Sequence, residues 1–430
     1  MKVIHSWGIG DEGCMFTGVA KHMDCIPFKD KKYEIDDCEK KDYLVLDTML
    51  ELFNKSKNDE ELKNNLNKKK ISFLFHLNEI DTLGHTLGPK SDKLRNHFIA
   101  GDSYFEKLEN AFNDFYKDNK TTFIITSDHG MNMNKVHGDG SSDCIKTPFI
   151  IWGSGIRKPI YKKNLQEKEN VNNVLFKNYE IKEISQIDLT PLFAGLIDVN
   201  FPMNSLGIIP LDIVDASDKV KSKLLFSNFL EIFENYKIKN DLESKAIIFK
   251  PYKHLIDSNN QIKIVLDEIK KENYLKAINE TQNLIKLTLR GIEYIHHYDR
   301  FYLKTTIAIG YIFWMFYLFI FIEMKNNNNL KYFFIYNSDG NTPILLISII
   351  LIIILYIYLF LRLSPFLYYL YTLFPCYFFW RILVNIKYIK TFFIKENEIK
   401  YFMKKIFLFA LIKIVFLAIV SKRLKYYFLI

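Results

Sequence analysis

The sequence predicts an α/β domain with a central, mostly parallel sheet flanked by helices, followed by a helical region that crosses a membrane several times. Three observations predict it. In residues 1–215, short β-rich runs alternate with a long helix-periodic segment, the pattern of strands joined by crossover helices. Three runs, 305–322, 343–361 and 363–380, hold no charged residue, and about 18 apolar residues reach across the hydrocarbon of a bilayer. The net charge of +9 over 430 residues is also uneven: residues 303–430 hold 15 Lys/Arg against 4 Asp/Glu, and residues 1–302 hold 43 against 45. The basic charge therefore sits between apolar runs, where it reads as membrane topology. A nucleic-acid surface would need it on a folded face, so nucleic acid is not an expected partner.

Taken in order, the elements are these. Met1-Lys2-Val3-Ile4-His5-Ser6-Trp7 contains no apolar core of signal-peptide length. Residues 51–70 and 161–183 are rich in Lys, Asn and Glu and read as solvated helix or insertion. Ile71–Leu77 is a short apolar run, a buried strand. Residues 91–118 place Leu94, Phe98, Phe105, Leu108, Phe112 and Phe115 at helical spacing. Thr121–Thr126 and Pro148–Trp152 are further strands, the second closed by Gly153-Ser154-Gly155. Residues 216–302 read as a helical segment leading to the membrane. Residues 303–430 form the membrane region, with three spans and a fourth apolar run, 406–420, interrupted by Lys413. The five cysteines are widely scattered and form no metal-binding or redox spacing.

The loop at 381–405 carries seven Lys/Arg, among them Arg381, Lys387 and Lys404. Positive loops beside spans prefer the cytosol. With three spans before that loop, residues 1–302 are expected on the opposite, luminal side. The basic Lys422-Arg423-Leu424-Lys425 end runs against this if 406–420 also spans.

Two acid–histidine clusters follow two of the strands. Asp81-Thr82-Leu83-Gly84-His85 comes after the first, and Ser127-Asp128-His129-Gly130 after the second; Val136-His137-Gly138-Asp139-Gly140 lies just beyond. Ligands of parallel α/β sheets gather at the carboxyl ends of strands. Asp81, His85, Asp128, His129 and His137 delivered there could hold two divalent metals. Imidazole and carboxylate suit zinc, and manganese less well. Two metals about 4 Å apart clamp the attacking and leaving oxygens of a phosphoryl transfer. Each fragment alone is commonplace; their order and their placement after strands carry the reading. His5, His22, His76, His97 and His254 read as structural or surface residues.

These stretches, with Phe75–Asp81, Thr121–Met131, Thr147-Pro148 and Trp152-Gly153-Ser154-Gly155, resemble the glycosylphosphatidylinositol (GPI) ethanolamine phosphate transferases of the alkaline phosphatase superfamily. Asp188-Leu189-Thr190-Pro191-Leu192, Phe201–Gly207, Tyr298-Asp299-Arg300-Phe301 and Ser6-Trp7-Gly8 with Asp11 resemble the members that modify the first mannose. The resemblance implies an alkaline-phosphatase-like fold for residues 1–215. It implies that Asp81, His85 and His137 bind one metal and that Asp128 and His129 bind the other. It further implies transfer of phosphoethanolamine from phosphatidylethanolamine to the first mannose of the GPI precursor, in the endoplasmic reticulum membrane. The family's nucleophile is a threonine that forms a covalent phospho-enzyme, which divides one difficult displacement into two.

Some of the family pattern is not met. The nucleophilic threonine and the remaining aspartate ligand are expected upstream of Met1, and Asp11 and Thr17 stand in the wrong context to replace them. Ser141 stands where many members have a second histidine. The membrane region has three or four spans where the family has more, so the chain reads as truncated at both ends. Two alternatives remain at this point: a non-catalytic membrane scaffold of the same fold, and another phosphodiesterase of the superfamily.

Overall fold

The computed structural model describes residues 5–10, 22–25, 41–161, 179–326 and 338–385. They fall into two compact units. One is drawn from Met1–Asn228 with Glu272–Ile278, the other from Phe229–Lys271 and the described part of Asn279–Ser421.

The first unit begins with strands β1 (His5–Gly10) and β2 (His22–Cys25) and helices α1 (Lys41–Lys55) and α2 (Glu60–Leu66). Strand β3 (Ile71–Phe75) leads into the short helix α3 (Glu79–Leu87) and the long helix α4 (Asp92–Tyr116). Strand β4 (Thr122–Thr126), a four-residue helix α5 (Ser142–Ile145), strand β5 (Phe149–Gly153) and helix α6 (Leu189–Leu196) complete it. Local chemistry sets the ends of α4. Ser91 Oγ accepts the Leu94 N–H at 3.2 Å, an N-cap, and Lys117 takes a left-handed φ of 52° at the C-terminus.

The core lies where α1, α2, α4, β3 and β4 meet. Val45, Leu46, Met49 and Phe53 of α1 pack with Leu66, Leu108 and Phe112 against Phe73 and Phe123. Full burial of such a side chain stabilises by roughly 1.5–3 kcal/mol. The Lys/Asn/Glu-rich stretch 51–70 is helical as expected, but it is not wholly solvated: Phe53 and Leu66 are core residues. Composition averages over the helix, whereas burial follows one face.

The sheet departs from expectation. The described strands form two small sheets: β1 pairs in parallel with both β2 and β3, and β4 pairs antiparallel with β5. Among the described residues the parallel part is thus a three-stranded sheet and not a larger central one, and β1 and β2 lie in a segment with no predicted strand. The antiparallel β4–β5 pairing goes with the character of the connection. Parallel strands are usually joined by a crossover helix. Residues 127–148 contain only α5, and the rest of that stretch is the loop bearing Asp128, His129 and His137.

Asp188 precedes α6, and its Oδ1 accepts the Ile208 N–H at 2.7 Å. Burial raises its carboxyl above the usual range, while hydrogen bonds from the Ile208 and Ser185 backbone pull the other way. A raised acid favours the fold below its unfolded pKa, and that contribution is lost as pH rises through the folded-state value. Asp188→Asn keeps an oxygen acceptor and removes the charge. Its stability relative to wild type is expected to rise as pH climbs from about 4 towards 7. Asp188→Ala, which leaves the Ile208 N–H unsatisfied, is expected to lose about 1–3 kcal/mol. Thermal unfolding across that pH range reads both.

Helices α7 (Asp218–Glu243) and α9 (Tyr274–His296) contribute residues to both units, and the second unit also contains α8 (Ser258–Lys270), α10 (Arg300–Asn326), α11 (Ser338–Leu361) and α12 (Phe366–Val384). Three helical stretches are long and apolar enough to cross a membrane: Tyr274–Ile322, Thr342–Leu361 and Phe366–Val384. The third expected run, 363–380, starts its helix three residues late. Leu363 has a left-handed φ of 54° and Pro365 caps α12, so the first residues of that run are spent on the turn. Ile320, Met324 and Ile382 pack together where α10 meets α12. The fourth apolar run, 406–420, most of the basic loop, the basic C-terminal residues and 162–178 of the stretch 161–183 lie outside the described residues.

Candidate metal centre

The site is built at the carboxyl ends of β3 and β4. Helix α3 follows β3 after three residues and carries Asp81 and His85 one turn apart. Side chains four residues apart share a helix face, and His85 Nε2 lies 3.4 Å from Asp81 Oδ2. From the loop after β4, His137 Nε2 lies 3.7 Å from Asp81 Oδ1. The ligand atoms of Asp81, His85 and His137 all lie within 4.8 Å of one another.

The imidazoles cluster. His137 stacks on His129 with centroids 3.7 Å apart, and the His85 ring lies 5.0 Å from His137, tilted by 50°. His85 Nδ1 is 2.7 Å from the Lys135 carbonyl. A carbonyl only accepts, so Nδ1 carries a proton and Nε2 is the ring nitrogen turned towards Asp81. His129 Nδ1 is placed the same way, 3.1 Å from the Gly130 carbonyl. Asp128 stands apart from the three-residue cluster. Its side chain is 74% exposed, its Oδ1 accepts the His129 N–H at 2.9 Å, and its Oδ2 is 3.5 Å from His129 Nε2.

The surroundings explain the glycines. Gly130 follows His129, and its N–H donates to the Cys144 carbonyl at 2.8 Å. A Cβ there would run into the Asp143 carbonyl oxygen, so the Asp-His-Gly turn admits no larger residue without shifting backbone. Gly84, between Asp81 and His85, faces Met131 closely enough that a Cβ would sit 2.7 Å from Sδ. That gap lets α3 approach the β4 loop.

Sequence reasoning missed the residues that brace this loop. Buried Asn132 donates through Nδ2 to Asp139 Oδ2 at 2.7 Å, and its Oδ1 accepts the Asn134 and Val136 N–H groups. Asp139 Oδ1 accepts the Ser141 N–H at 2.9 Å. That bond, with others from Ser141, Cys144 and Asn132, holds the Asp139 carboxyl well below the usual range, so it stays charged around His137. Lys135 Nζ donates to the Thr86 carbonyl at 3.0 Å, which ties the loop to the end of α3. Gln186 Nε2 reaches the Asp128 carbonyl at 2.8 Å. The signal was present in part: Asn and Asp in such loops bond to nearby backbone.

Asp81 Oδ1 supports the fit of a cation. It is buried and has no hydrogen-bond partner. Metal–ligand bonds of about 2.0–2.2 Å at tetrahedral angles place ligand atoms roughly 3.4 Å apart, close to the 3.4 and 3.7 Å observed. Carboxylate plus imidazole is a donor set that suits a divalent metal such as zinc.

Comparison with known proteins supplies two family matches. Residues 11–180 match the type I phosphodiesterase / nucleotide pyrophosphatase family, and residues 290–429 match the phosphatidylinositolglycan class N (PIG-N) family. Three similar proteins each carry the name GPI ethanolamine phosphate transferase 1. The human protein is 33% identical over 328 residues, covering 74% of this chain and 35% of the relative. The mouse protein is 33% identical over 327 residues, with the same shares. The Schizosaccharomyces pombe protein is 34% identical over 288 residues, covering 64% and 30%. This chain thus spans about a third of the length of these relatives. No solved structure matches it. With its imidazole–carboxylate cluster inside the phosphodiesterase match and its apolar helices largely inside the PIG-N match, the chain is a homologue of the GPI ethanolamine phosphate transferase 1 proteins.

Proposed function

We propose that this protein acts in GPI-anchor biosynthesis as a phosphoethanolamine transferase of the endoplasmic reticulum membrane, its α/β domain in the lumen. One observation carries the reading: a phosphodiesterase-type segment holding a carboxylate–imidazole cluster continues, in the same chain, into a PIG-N segment of membrane-length helices. Residues 1–215 would be the phosphotransferase domain, 216–302 the luminal helical lead, and 303–430 the membrane region.

Asp81, His85 and His137 would hold one divalent metal, and Asp128 and His129 a second, with zinc the better match and manganese the alternative. Such ions neutralise charge developing on a transferring phosphoryl group. The chain's own residues shape the site: Lys135 and Gly130 carbonyls fix the two imidazole tautomers, and Asn132 with Asp139 holds the His137 loop in place. In the overall reaction the phosphorus–oxygen bond to diacylglycerol breaks and one to a mannose hydroxyl forms. The hydroxyl proton ends on the diacylglycerol oxygen. The donor would be phosphatidylethanolamine and the acceptor the first mannose of the GPI precursor.

The test uses the native protein, captured from its own membranes with an antibody against residues 41–161. It is given phosphatidylethanolamine labelled in the head group and a mannosylated GPI acceptor. Transfer of label to the acceptor is expected, with loss on chelation and recovery on adding zinc. Cleavage of nucleotide diesters without transfer would replace this reading with that of another phosphodiesterase of the superfamily. Metal binding with neither activity would favour a scaffold.

A further inference from the structure

Three ionisable side chains meet in the interior beside the metal centre. Asp42 of α1, Glu79 of α3 and His97 of α4 are 5%, 3% and 5% exposed. Buried charge is costly unless paired and hydrogen-bonded, so an arrangement of this kind is strongly specified. Its geometry is reciprocal. Asp42 Oδ1 accepts the Glu79 N–H at 3.3 Å, and Glu79 Oε2 accepts the Asp42 N–H at 3.2 Å. Each donor belongs to the first turn of its helix, where N–H groups lack intrahelical partners. Each carboxylate also faces the positive end of the other helix. The two helices cap one another, as the two ends of a capping box do within a single helix.

His97 completes the arrangement from α4. Its Nε2 lies 3.2 Å from Asp42 Oδ2, and its ring stacks on Tyr43 with centroids 5.4 Å apart. The same three groups are close enough to surround a cation. Their oxygens are already engaged, however: Asp42 Oδ1 by Glu79 N–H, Asp42 Oδ2 by His97, and Glu79 Oε2 by Asp42 N–H. The arrangement reads as a clamp rather than a second metal site.

Helix α3 needs such a clamp. It has nine residues, and its N-cap residue Asn78 makes no side-chain cap bond. Helices this short are marginal without tertiary support. Asp81 sits two residues beyond Glu79, and no hydrogen bond holds its Oδ1. Its direction therefore comes from the α3 backbone. We infer that Asp42, Glu79 and His97 are positioning residues that lock the first turn of α3 against α1 and α4 and so aim Asp81 at the His85 and His137 imidazoles. This rests on the reading of Asp81, His85 and His137 as metal ligands. Outer-shell groups that orient ligands are typically worth 10–100-fold in metal affinity.

The test is a titration of the full chain in detergent with Co2+, followed by its absorption bands, and with Zn2+ by competition. The variants are Asp42→Ala, Asp42→Asn, His97→Leu and Asp81→Asn. Asp42→Ala is expected to weaken binding by about 10–100-fold and to shift the Co2+ bands, with helical circular dichroism retained. Asp42→Asn keeps an acceptor for the Glu79 N–H and is expected to recover most of that loss. His97→Leu leaves Asp42 Oδ2 without its partner and covers the case in which Asp42→Ala does not fold. It is expected to weaken binding in the same direction. A lower melting temperature with unchanged affinity and bands in the folded Asp42→Ala and His97→Leu proteins would overturn the inference. Unchanged binding in Asp81→Asn would instead overturn the ligand assignment beneath it.

Discussion

On the proposed ligand set, Asp81→Asn is expected to empty the candidate metal centre. The Asp81 carboxylate faces both His85 Nε2 and His137 Nε2, at 3.4 and 3.7 Å. Asparagine has the same shape but no charge, and it offers a weaker oxygen to a divalent cation. The loss is expected to exceed the roughly 10–100-fold of an outer-shell change, read as zinc content by elemental analysis and as affinity by competition. Melting temperature without metal should change little, because Asp81 Oδ1 makes no hydrogen bond that the substitution would break. His85→Ala and His137→Ala are expected to follow the same pattern. Asp128→Ala should act more weakly at this cluster, since its exposed carboxylate bonds mainly to its own neighbour's N–H. Full zinc content in Asp81→Asn would remove the basis of the ligand set.

Arg362→Leu is expected to be the most destabilising single change in the second unit, by about 3–5 kcal/mol. Arg362 follows the last residue of α11 and its side chain is 5% exposed. Its Nη2 lies 2.6 Å from Glu243 Oε2 and its Nε donates to Asp299 Oδ1 at 3.1 Å. The guanidinium also lies 4.5 Å from the centroid of the Tyr298 ring, a favourable place for a cation. Leucine would leave two carboxylates facing one site with no cation between them. Adding Glu243→Gln and Asp299→Asn to the same protein should recover much of the loss, because a buried ion cluster costs most when only one sign is removed. Thermal unfolding in detergent, single variant against triple, separates charge imbalance from lost packing. Equal losses would assign the effect to packing.

These two sites were legible to different degrees. Asp81 and His85 could be singled out from their order with the other acid–histidine fragments and their place after a strand; that both lie on one face of a helix is shown by α3. That His137 comes to Asp81, and that Lys135 braces His85 from 50 residues away, depends on how the loop after β4 folds back over α3. No local pattern encodes that distance. Tyr298-Asp299-Arg300-Phe301 stood out in the sequence only as a family-like stretch. The partner that makes Asp299 structural is Arg362, 63 positions later, in the turn between two apolar runs.

By itself, the sequence determined several of the elements, though not β1 and β2: the runs 71–77, 121–126 and 148–152 overlap strands Ile71–Phe75, Thr122–Thr126 and Phe149–Gly153, residues 91–118 contain helix Asp92–Tyr116, and three apolar runs overlap helices of membrane length. Hydrophobic periodicity and unbroken apolar runs are local quantities, so they survive without any knowledge of the fold. Tertiary structure decided the rest. It set the antiparallel pairing of β4 with β5, whose connection holds one four-residue helix and no crossover helix. It placed Phe53 and Leu66 of a charge-rich stretch in the core. It made His97, read from the sequence only as structural or surface, the buried partner of Asp42. Each of these depends on contacts between residues far apart in the chain, and the energy of such a contact comes from burial and pairing that exist only once the chain has closed on itself.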